Sequence, residues 1–211
     1  LLIEFLKEKL FTNSIQFNKK INKINYSKNK VEITFENNNV EVFDFLVIAD
    51  GVFSFTKSTL FKNEIQSKYS GSLAIRTIVK KENIKLINES NISLFLGPKT
   101  HLVAYPLNIK KDFNLVGIVR KKLSKDDLTD NKFFKNEENI KKLLTNSTIN
   151  KNTLFKNLFT NLSDVRYFPI FISDKIRKLN SKNIFFLGDA FYSALPTFAQ
   201  GASQSIESAY E

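Results

Sequence analysis

Two apolar segments of this sequence each end at an aspartate that stands beside a glycine. The run IFFL leads directly into Gly188 and Asp189, and the run FDFLVIA leads into Asp50 and Gly51. Such runs are typical of strands that are buried on both faces of a sheet. Open α/β sheets bind ligands at the carboxyl ends of their strands, so the two aspartates predict one polar edge that accepts hydrogen bonds from sugar or polyol hydroxyls.

A helix is predicted to follow the strand that ends at Gly188 and Asp189. Beyond Pro196, the segment opens at Gln200 and Gly201, and the apolar positions Ala202 and Ile206 recur at helical spacing. The first turn of a helix carries a partial positive charge and unpaired N–H groups. We therefore expect the helix start to lie at the same edge as the aspartates and to accept a negatively charged group.

Composition limits the folds and the kinds of site that this chain can form. A chain of 211 residues with 42% hydrophobic content can bury a core, as one large domain or as two interleaved lobes. The chain has no cysteine, which excludes disulfides and thiolate metal sites and fits a reducing, cytoplasmic location. No apolar run reaches the roughly 20 residues of a membrane span, although peripheral contact with a membrane is compatible with the sequence. The lack of any methionine and the amphipathic run at residue 1 predict an internal piece of a longer protein.

The net charge of +11 raises the question of nucleic-acid binding. Lysine is scattered along the whole chain among asparagine and isoleucine, and arginine is scarce. No basic helix, zinc finger or aromatic platform accompanies the charge. We therefore expect no nucleic-acid partner.

The pattern of predicted elements divides the chain into three segments. Residues 1–61 begin with an amphipathic helix, residues 62–168 change to antiparallel-type strands, and residues 169–211 return to an apolar strand and a helix. The predicted fold class is α/β (α+β), with an antiparallel sheet lobe inserted into the first lobe. The predicted strands are 14–24, 30–36, 40–49, 72–79, 92–96, 100–107 and 113–119; predicted helical segments are 1–10, 136–144 and the amphipathic stripe 154–162.

Three local segments resemble the single-component FAD-dependent aromatic hydroxylases, which share the para-hydroxybenzoate hydroxylase fold. ADGVFSFTK, at residues 49–57, is similar to the family's D-G-x-x-S-x-x-R segment. GDAFYSALPTFAQGASQSIESA, at 188–209, resembles the family's G-D-A-x-x-x-x-x-P-x-x-x-Q-G-x-x-x-x-I-E segment. LFLGPKTHLVAYPL, at 94–107, is similar to the substrate-lobe hairpin of salicylate-hydroxylase-type members. The chain also resembles the hydroxylases of ubiquinone biosynthesis.

The resemblance implies a partial FAD-binding, Rossmann-like lobe (1–61 and 169–211) and a substrate-binding β-sheet lobe (62–168). In the family, the first segment lies near the FAD pyrophosphate and the nicotinamide nucleotide, and the aspartate that corresponds to Asp189 binds the ribityl chain of the flavin. The alternative for both strand-end aspartates is an ordinary turn or helix cap. The implied cofactor-binding residues are Asp50, Gly51, Gly188, Asp189, Pro196, Gln200, Gly201 and Ala202.

The sequence departs from the family pattern at three positions. Lys57 stands where the family has arginine, which keeps the charge but loses the bidentate fork. Tyr192 stands where many members carry histidine, and Ala199 where many carry glycine. The family's N-terminal G-x-G-x-x-G loop, which cradles the FAD diphosphate, is absent from this chain. We therefore expect the chain alone to hold flavin poorly.

Four residues are candidates for substrate contacts. Arg76, inside an apolar strand, either lies at a sheet rim or faces an anionic substrate or the flavin. His101 is the only histidine in the chain, so we expect no metal site, and it is either structural or in contact with substrate. Tyr105 and Tyr192 either line an aromatic pocket or belong to the core.

Two functions of different class follow from these observations. The first is an FAD-dependent monooxygenase that uses NADPH or NADH and O₂ to hydroxylate an aromatic or quinol-type small molecule. The flavin carries that chemistry, so no catalytic side chain is assigned. Another oxidoreductase of the same fold, such as a flavin halogenase or a prenyl-chain reductase, is the nearest alternative. The second class is a degenerate flavoprotein relative that acts as a binding or structural module without turnover.

Overall fold

The structure is a computed structural model in which the chain divides into two compact units. Leu1–Ser67 and Ser173–Glu211 form the first unit, and Lys68–Ile172 forms the second. The roles predicted for these parts, cofactor binding and substrate binding, stay predictions. The residues that the structure describes are 2–11, 14–62, 64–83, 87–88, 90–107, 112–130, 138–139, 142–143, 165–173, 179 and 181–211.

The described elements alternate between short strands and short helices. The strands are β1 (Ile21–Tyr26), β2 (Val31–Phe35), β3 (Val40–Phe43), β4 (Leu46–Ile48), β5 (Ser67–Val79), β6 (Ser93–Leu96), β7 (Thr100–Pro106), β8 (Phe113–Arg120), β9 (Arg166–Ser173) and β10 (Ile184–Phe186). The helices are α1 (Leu2–Glu8), α2 (Phe55–Leu60), α3 (Lys125–Asp130), α4 (Gly188–Phe191) and α5 (Gly201–Tyr210), with 3-10 turns at Lys81–Asn83 and Pro196–Phe198.

The first unit contains an antiparallel sheet in the order β1-β2-β3. Alternate residues of a strand face the same side, and Val31, Ile33 and Phe35 of β2 are accordingly buried in the core of this unit. The prediction of one continuous strand over 40–49 is wrong. The chain leaves β3 and enters β4 because β3 pairs antiparallel with β2, whereas β4 pairs in parallel with β10. The first strand also begins later than predicted, at Ile21.

The parallel pair β4–β10 buries one face and exposes the other. Ile48 and Ile184 are 2% and 7% exposed and pack in the same core as β2. Val47 and Phe185, which pair with each other on the opposite face, are 54% and 49% exposed. The expectation that both faces of these strands are buried is therefore wrong in this structure. The rings of Phe45 and Phe185 lie on that exposed face, with centroids 6.2 Å apart.

The second unit is built on a five-stranded sheet in the order β6-β7-β8-β5-β9. The neighbours β6–β7, β7–β8 and β5–β8 are antiparallel, as the sequence predicted. Apolar residues at every second position of β5, β7 and β8 form the core of this unit on one face of the sheet. The most deeply buried of these are Leu73, Ile75, Leu102, Ala104, Phe113 and Leu115.

Two predicted helical segments cannot be compared with the structure. The stripe 154–162 lies outside the described residues, and of the helix 136–144 only 138–139 and 142–143 are described. The short helix α3, which the sequence analysis did not predict, begins after Ser124, whose hydroxyl accepts from the N–H of Asp127 at 3.0 Å. No helix in the described ranges is long and apolar enough to cross a membrane.

Candidate functional site

The parallel pair β4–β10 brings two aspartates to one edge of the first unit. Ile48 pairs with Phe186, so the two strands end level with each other. The N–H of Leu187 donates to the carbonyl of Ile48 at 2.8 Å, which continues the ladder by one residue. Asp50 and Asp189 follow directly, at the carboxyl ends of adjacent strands. This common edge matches the expectation from the two apolar runs, while the ligand that it binds stays a prediction.

Asp50 fixes the start of α2. Its Oδ2 accepts a hydrogen bond from the N–H of Thr56 at 3.1 Å. Ser54 caps the same helix, since its Oγ accepts from the N–H of Lys57 at 2.9 Å, and its own N–H donates to the carbonyl of Gly51 at 3.1 Å. Such acceptors satisfy the free N–H groups of a first helical turn. One carboxylate oxygen of Asp50 thus serves as a helix cap, which leaves the other oxygen for a ligand.

Gly188 lets α5 pack closely on the turn that carries Asp189. Its φ of +54° is in the left-handed region. A β-carbon at this position would lie 2.7 Å from Oγ and 3.2 Å from Cβ of Ser205, one turn into α5. The N–H of Gly188 also donates to Oγ of Ser208 at 3.4 Å. The glycine is therefore required both by the backbone conformation and by the helix that packs against it.

The start of α5 is open in the first unit. Gln200 occupies the N-cap position without a capping hydrogen bond from its side chain, and a β-carbon on Gly201 would meet no atom within 4 Å. The helix start lies about 6 Å along its axis from the contact between Ser205 and Gly188, since four residues rise by 1.5 Å each. The preceding 3-10 turn, Pro196–Phe198, is followed by Ala199, which has a φ of +53°. Ala202 is exposed beside the open start.

The side chain of Asp189 is exposed and makes no hydrogen bond to any residue in the described part of the chain. Tyr192, at the end of α4, is 46% exposed, and its N–H donates to the carbonyl of Gly188 at 3.0 Å. Tyr192 therefore does not belong to the core. A solvated carboxylate can accept hydrogen bonds from hydroxyl groups, and an open helix start can hold an anionic group.

Lys57, on α2, is 2% exposed, and its Nζ has no hydrogen-bond partner among the described residues. Burial lowers its pKa, and the charges of Asp50 and Asp189 act in the opposite direction. From the sequence alone, Lys57 is distinguished only as a departure from a motif. Its burial could not be read from the sequence, because lysine is almost always solvated.

The second unit places Arg76, His101 and Tyr105 on one face of its five-stranded sheet. Residues directly opposite in an antiparallel sheet face the same side. Arg76 pairs with Val116, and Val116 pairs with Val103, which stands midway between His101 and Tyr105 on β7. The core of the unit lies on the opposite face, and Arg76 is exposed. The sheet thus presents a cation, an imidazole and a phenol on a surface lined with aliphatic side chains.

The hydroxyl of Tyr105 is oriented by a buried amide. Nδ2 of Asn114, a residue only 5% exposed, donates to Oη of Tyr105 at 2.5 Å. Because the amide nitrogen is a donor, the phenol accepts this bond and keeps its own hydrogen for another acceptor. Burial lowers the pKa of His101 from the usual 6.5, so its imidazole is neutral at pH 7. The sequence analysis did not single out Asn114, because its contact with Tyr105 depends on the register of β7 and β8.

Comparison with known proteins identifies the fold. No protein-family model matches the chain. It is 26% identical over 217 residues to a flavin-dependent monooxygenase from an unknown prokaryotic organism, an alignment that covers 99% of this chain and 52% of that protein. It is 31% identical over 100 residues to 3-hydroxybenzoate 6-hydroxylase 2 of Aquipseudomonas alcaligenes, covering 47% of this chain and 31% of that protein. The chain thus spans about half or less of these relatives.

Solved structures agree with the sequence relatives. A salicylate hydroxylase in complex with its substrate superposes with a TM-score of 0.80 at 18% identity, over 99% of this chain and 54% of that one. Klebsiella pneumoniae HpxO, in complex with FAD and uric acid, gives a TM-score of 0.76 at 18% identity, over 98% of this chain and 51% of that one. The chain has the fold of the FAD-dependent aromatic hydroxylases.

This result confirms the resemblance and the fold class that the sequence predicted. Within the hydroxylase fold, the predicted cofactor residues and Tyr192 all belong to the first unit, where the strand ends and the start of α5 carry them. The predicted substrate residues Arg76, His101 and Tyr105 belong to the second unit, on one sheet face. The ligands of both groups stay predictions.

Proposed function

We propose that the protein to which this chain belongs is an FAD-dependent monooxygenase that hydroxylates an aromatic or quinol-type small molecule with NAD(P)H and O₂. The observation that carries this proposal is the pair of parallel strands β4 and β10, which end side by side at Asp50-Gly51 and Gly188-Asp189. The names of the relatives and structural neighbours support it, since they are flavin-dependent monooxygenases and hydroxylases.

The residues of the first unit fit an FAD molecule. Asp189 offers an exposed carboxylate to the ribityl hydroxyls, and the free oxygen of Asp50 offers a second acceptor. The start of α5 at Gly201 has room for a close approach of the flavin, because no atom lies within 4 Å of where its β-carbon would be. When bound, FAD supplies the electron transfer and the oxygen activation, while the protein holds and orients it.

The open sheet face of the second unit fits a planar, partly polar ring. Aliphatic side chains such as Val103 and Val116 offer an apolar surface, and Tyr105 offers a hydrogen that Asn114 leaves unused. Arg76 can bind an anionic group on such a ring, since guanidinium pairs well with carboxylates and enolates. Among the structural neighbours, salicylate hydroxylase is in complex with its substrate, and HpxO is in complex with FAD and uric acid.

His101 lies on the same sheet face as Arg76 and Tyr105. Its imidazole can accept or donate a hydrogen bond without a charge, because burial keeps it neutral at pH 7. We infer that it contacts the substrate rather than a metal. We further propose a cytoplasmic protein that can touch a membrane peripherally, in keeping with the absence of cysteine from the sequence.

The experiment that tests this function is turnover under ¹⁸O₂. The whole purified protein is supplied with NADH or NADPH and with a panel of phenols, aromatic acids and quinol precursors. We expect slow oxidation of the reduced nicotinamide alone, faster oxidation with a suitable ring, and one ¹⁸O atom in the product. A parallel reaction with unlabelled O₂ in H₂¹⁸O controls for exchange with water and should leave the product unlabelled. Flavin reduction without labelled product would favour a halogenase or reductase, and no flavin reduction would favour a module without turnover.

A further inference from the structure

Lys57 is the charged side chain among the buried residues that the structure describes. Its backbone is fixed at both ends of the short helix α2. The N–H of Lys57 donates to Oγ of Ser54 at 2.9 Å, and its carbonyl accepts from the N–H of Phe61 at 3.0 Å. The helix thus fixes the backbone from which the buried side chain extends. Buried lysines are rare, because an ammonium loses its hydration on burial.

The ammonium of Lys57 acts on its surroundings only through its electric field. Its Nζ is enclosed and has no hydrogen-bond partner among the described residues, so a ligand cannot reach it while the side chain stays in place. The charged groups that favour its protonated form are Asp50, which follows β4, and Asp189, at the start of α4. Burial outweighs their attraction and lowers the pKa of Lys57 below its usual value of 10.5.

Two simpler roles fit these facts less well. A lysine that served only to fill space would be matched by an apolar side chain, without the cost of a buried charge. A lysine that bound an anion directly would need an accessible Nζ, which this one lacks. What remains is a charge that attracts two carboxylates, which follow the ends of adjacent strands.

We propose that Lys57 is a positioning residue whose ammonium is the shared counter-ion of Asp50 and Asp189. It offsets their mutual repulsion so that both carboxylates face the same dinucleotide. This role rests on the proposed function, because it assigns the two carboxylates to FAD. The buried charge lowers the stability of the free protein, and it strengthens the binding of the cofactor.

The first arm of the test uses the protein without flavin and the variants Lys57→Met and Lys57→Arg. Methionine is unbranched and one heavy atom shorter than lysine, and it removes the charge. We expect Lys57→Met to raise the urea midpoint at pH 7 by about 0.5 M, since it removes a charge whose burial costs more than the attraction of the two carboxylates returns. Between the lowered pKa in the folded state and 10.5, the unfolded chain binds the proton that the folded chain has lost. The stability of the wild type therefore rises relative to Lys57→Met as the pH increases toward 10.5, the usual pKa of lysine.

The second arm measures the dissociation constant of FAD by quenching of flavin fluorescence at pH 7. We expect Lys57→Met to weaken binding about tenfold, and Lys57→Arg, which keeps the charge, to stay within about threefold of the wild type. Equal loss in both variants would overturn the proposal, because the charge would then not be what matters. A lower stability of Lys57→Met with no pH-dependent difference would overturn it as well, and would make Lys57 a packing residue.

The two arms separate this inference from the proposed function. If the whole wild-type protein binds no FAD under conditions where it is folded, the proposed cofactor is wrong. The stability arm then still decides whether the burial of Lys57 as a cation destabilises the folded protein.

Discussion

Replacing Gly188 with alanine tests the account of the turn that carries Asp189. Alanine in the left-handed region that Gly188 occupies at φ +54° costs about 1–2 kcal/mol. The new methyl group would also lie 2.7 Å from Oγ and 3.2 Å from Cβ of Ser205, and overpacking of this kind costs about 1–3 kcal/mol. The Oγ end of Ser205 can turn away, so the lower part of that range applies. We expect Gly188→Ala to lower the free energy of unfolding by about 2–3 kcal/mol.

Urea denaturation of the flavin-free protein measures this loss. Gly201→Ala is the matched control, because its β-carbon meets no atom within 4 Å and its backbone is helical. The control should be neutral or more stable by up to about 1 kcal/mol. Adding Ser205→Gly to Gly188→Ala should recover the steric part, with a coupling energy of about 1 kcal/mol in a double-mutant cycle. A loss below about 0.5 kcal/mol, or the absence of coupling, would refute the close packing of α5 on this turn.

Three further predictions concern single positions. Ala199→Gly should raise the free energy of unfolding by about 0.5–1 kcal/mol, because Ala199 has a φ of +53° and glycine adopts this conformation without strain; thermal or urea unfolding checks it. Gly201→Val should weaken FAD binding, measured by fluorescence titration, by more than it lowers the stability of the apoprotein, since a branched side chain blocks the open helix start. Tyr105→Phe should raise the KM for the aromatic substrate several-fold. The variant also leaves the buried amide of Asn114 without its partner, so the free energy of unfolding should fall by about 1–2 kcal/mol. A Tyr105→Phe enzyme with unchanged KM would remove Tyr105 from the substrate surface.

The sequence predicted the parts of the site that depend on local patterns. The runs that end at Asp50 and Asp189 predicted two strand ends at one edge, and the spacing after Gly201 predicted a helix start. Both follow from the identity of neighbouring residues, because strand and helix periods are local properties. The alternating pattern of β5, β7 and β8 likewise predicted an antiparallel sheet.

The errors concern properties that depend on distant parts of the chain. The continuous apolar pattern at 40–49 concealed a change of partner strand between β3 and β4, which only the pairing with β10 reveals. The same pattern predicted burial on both faces, yet Val47 and Phe185 are half-exposed, because burial depends on what packs above a strand and not on the strand itself. The burial of Lys57 and the contact between Asn114 and Tyr105 also depend on parts of the chain that are distant in sequence.

The measurement that tests the central claim most directly is the affinity of the whole protein for FAD in the variant Asp189→Ala. Charge-assisted hydrogen bonds contribute about 1.5–3 kcal/mol, so the dissociation constant should rise roughly 10- to 150-fold. Asp44→Ala is the matched control, since it removes an exposed carboxylate just before β4. The ion pair of Asp44 with Lys30 is exposed and contributes little to stability. Asp44→Ala should bind FAD like the wild type. If Asp189→Ala retained flavin as well as the control did, the strand-end aspartates would not be the cofactor site, and the account would be contradicted.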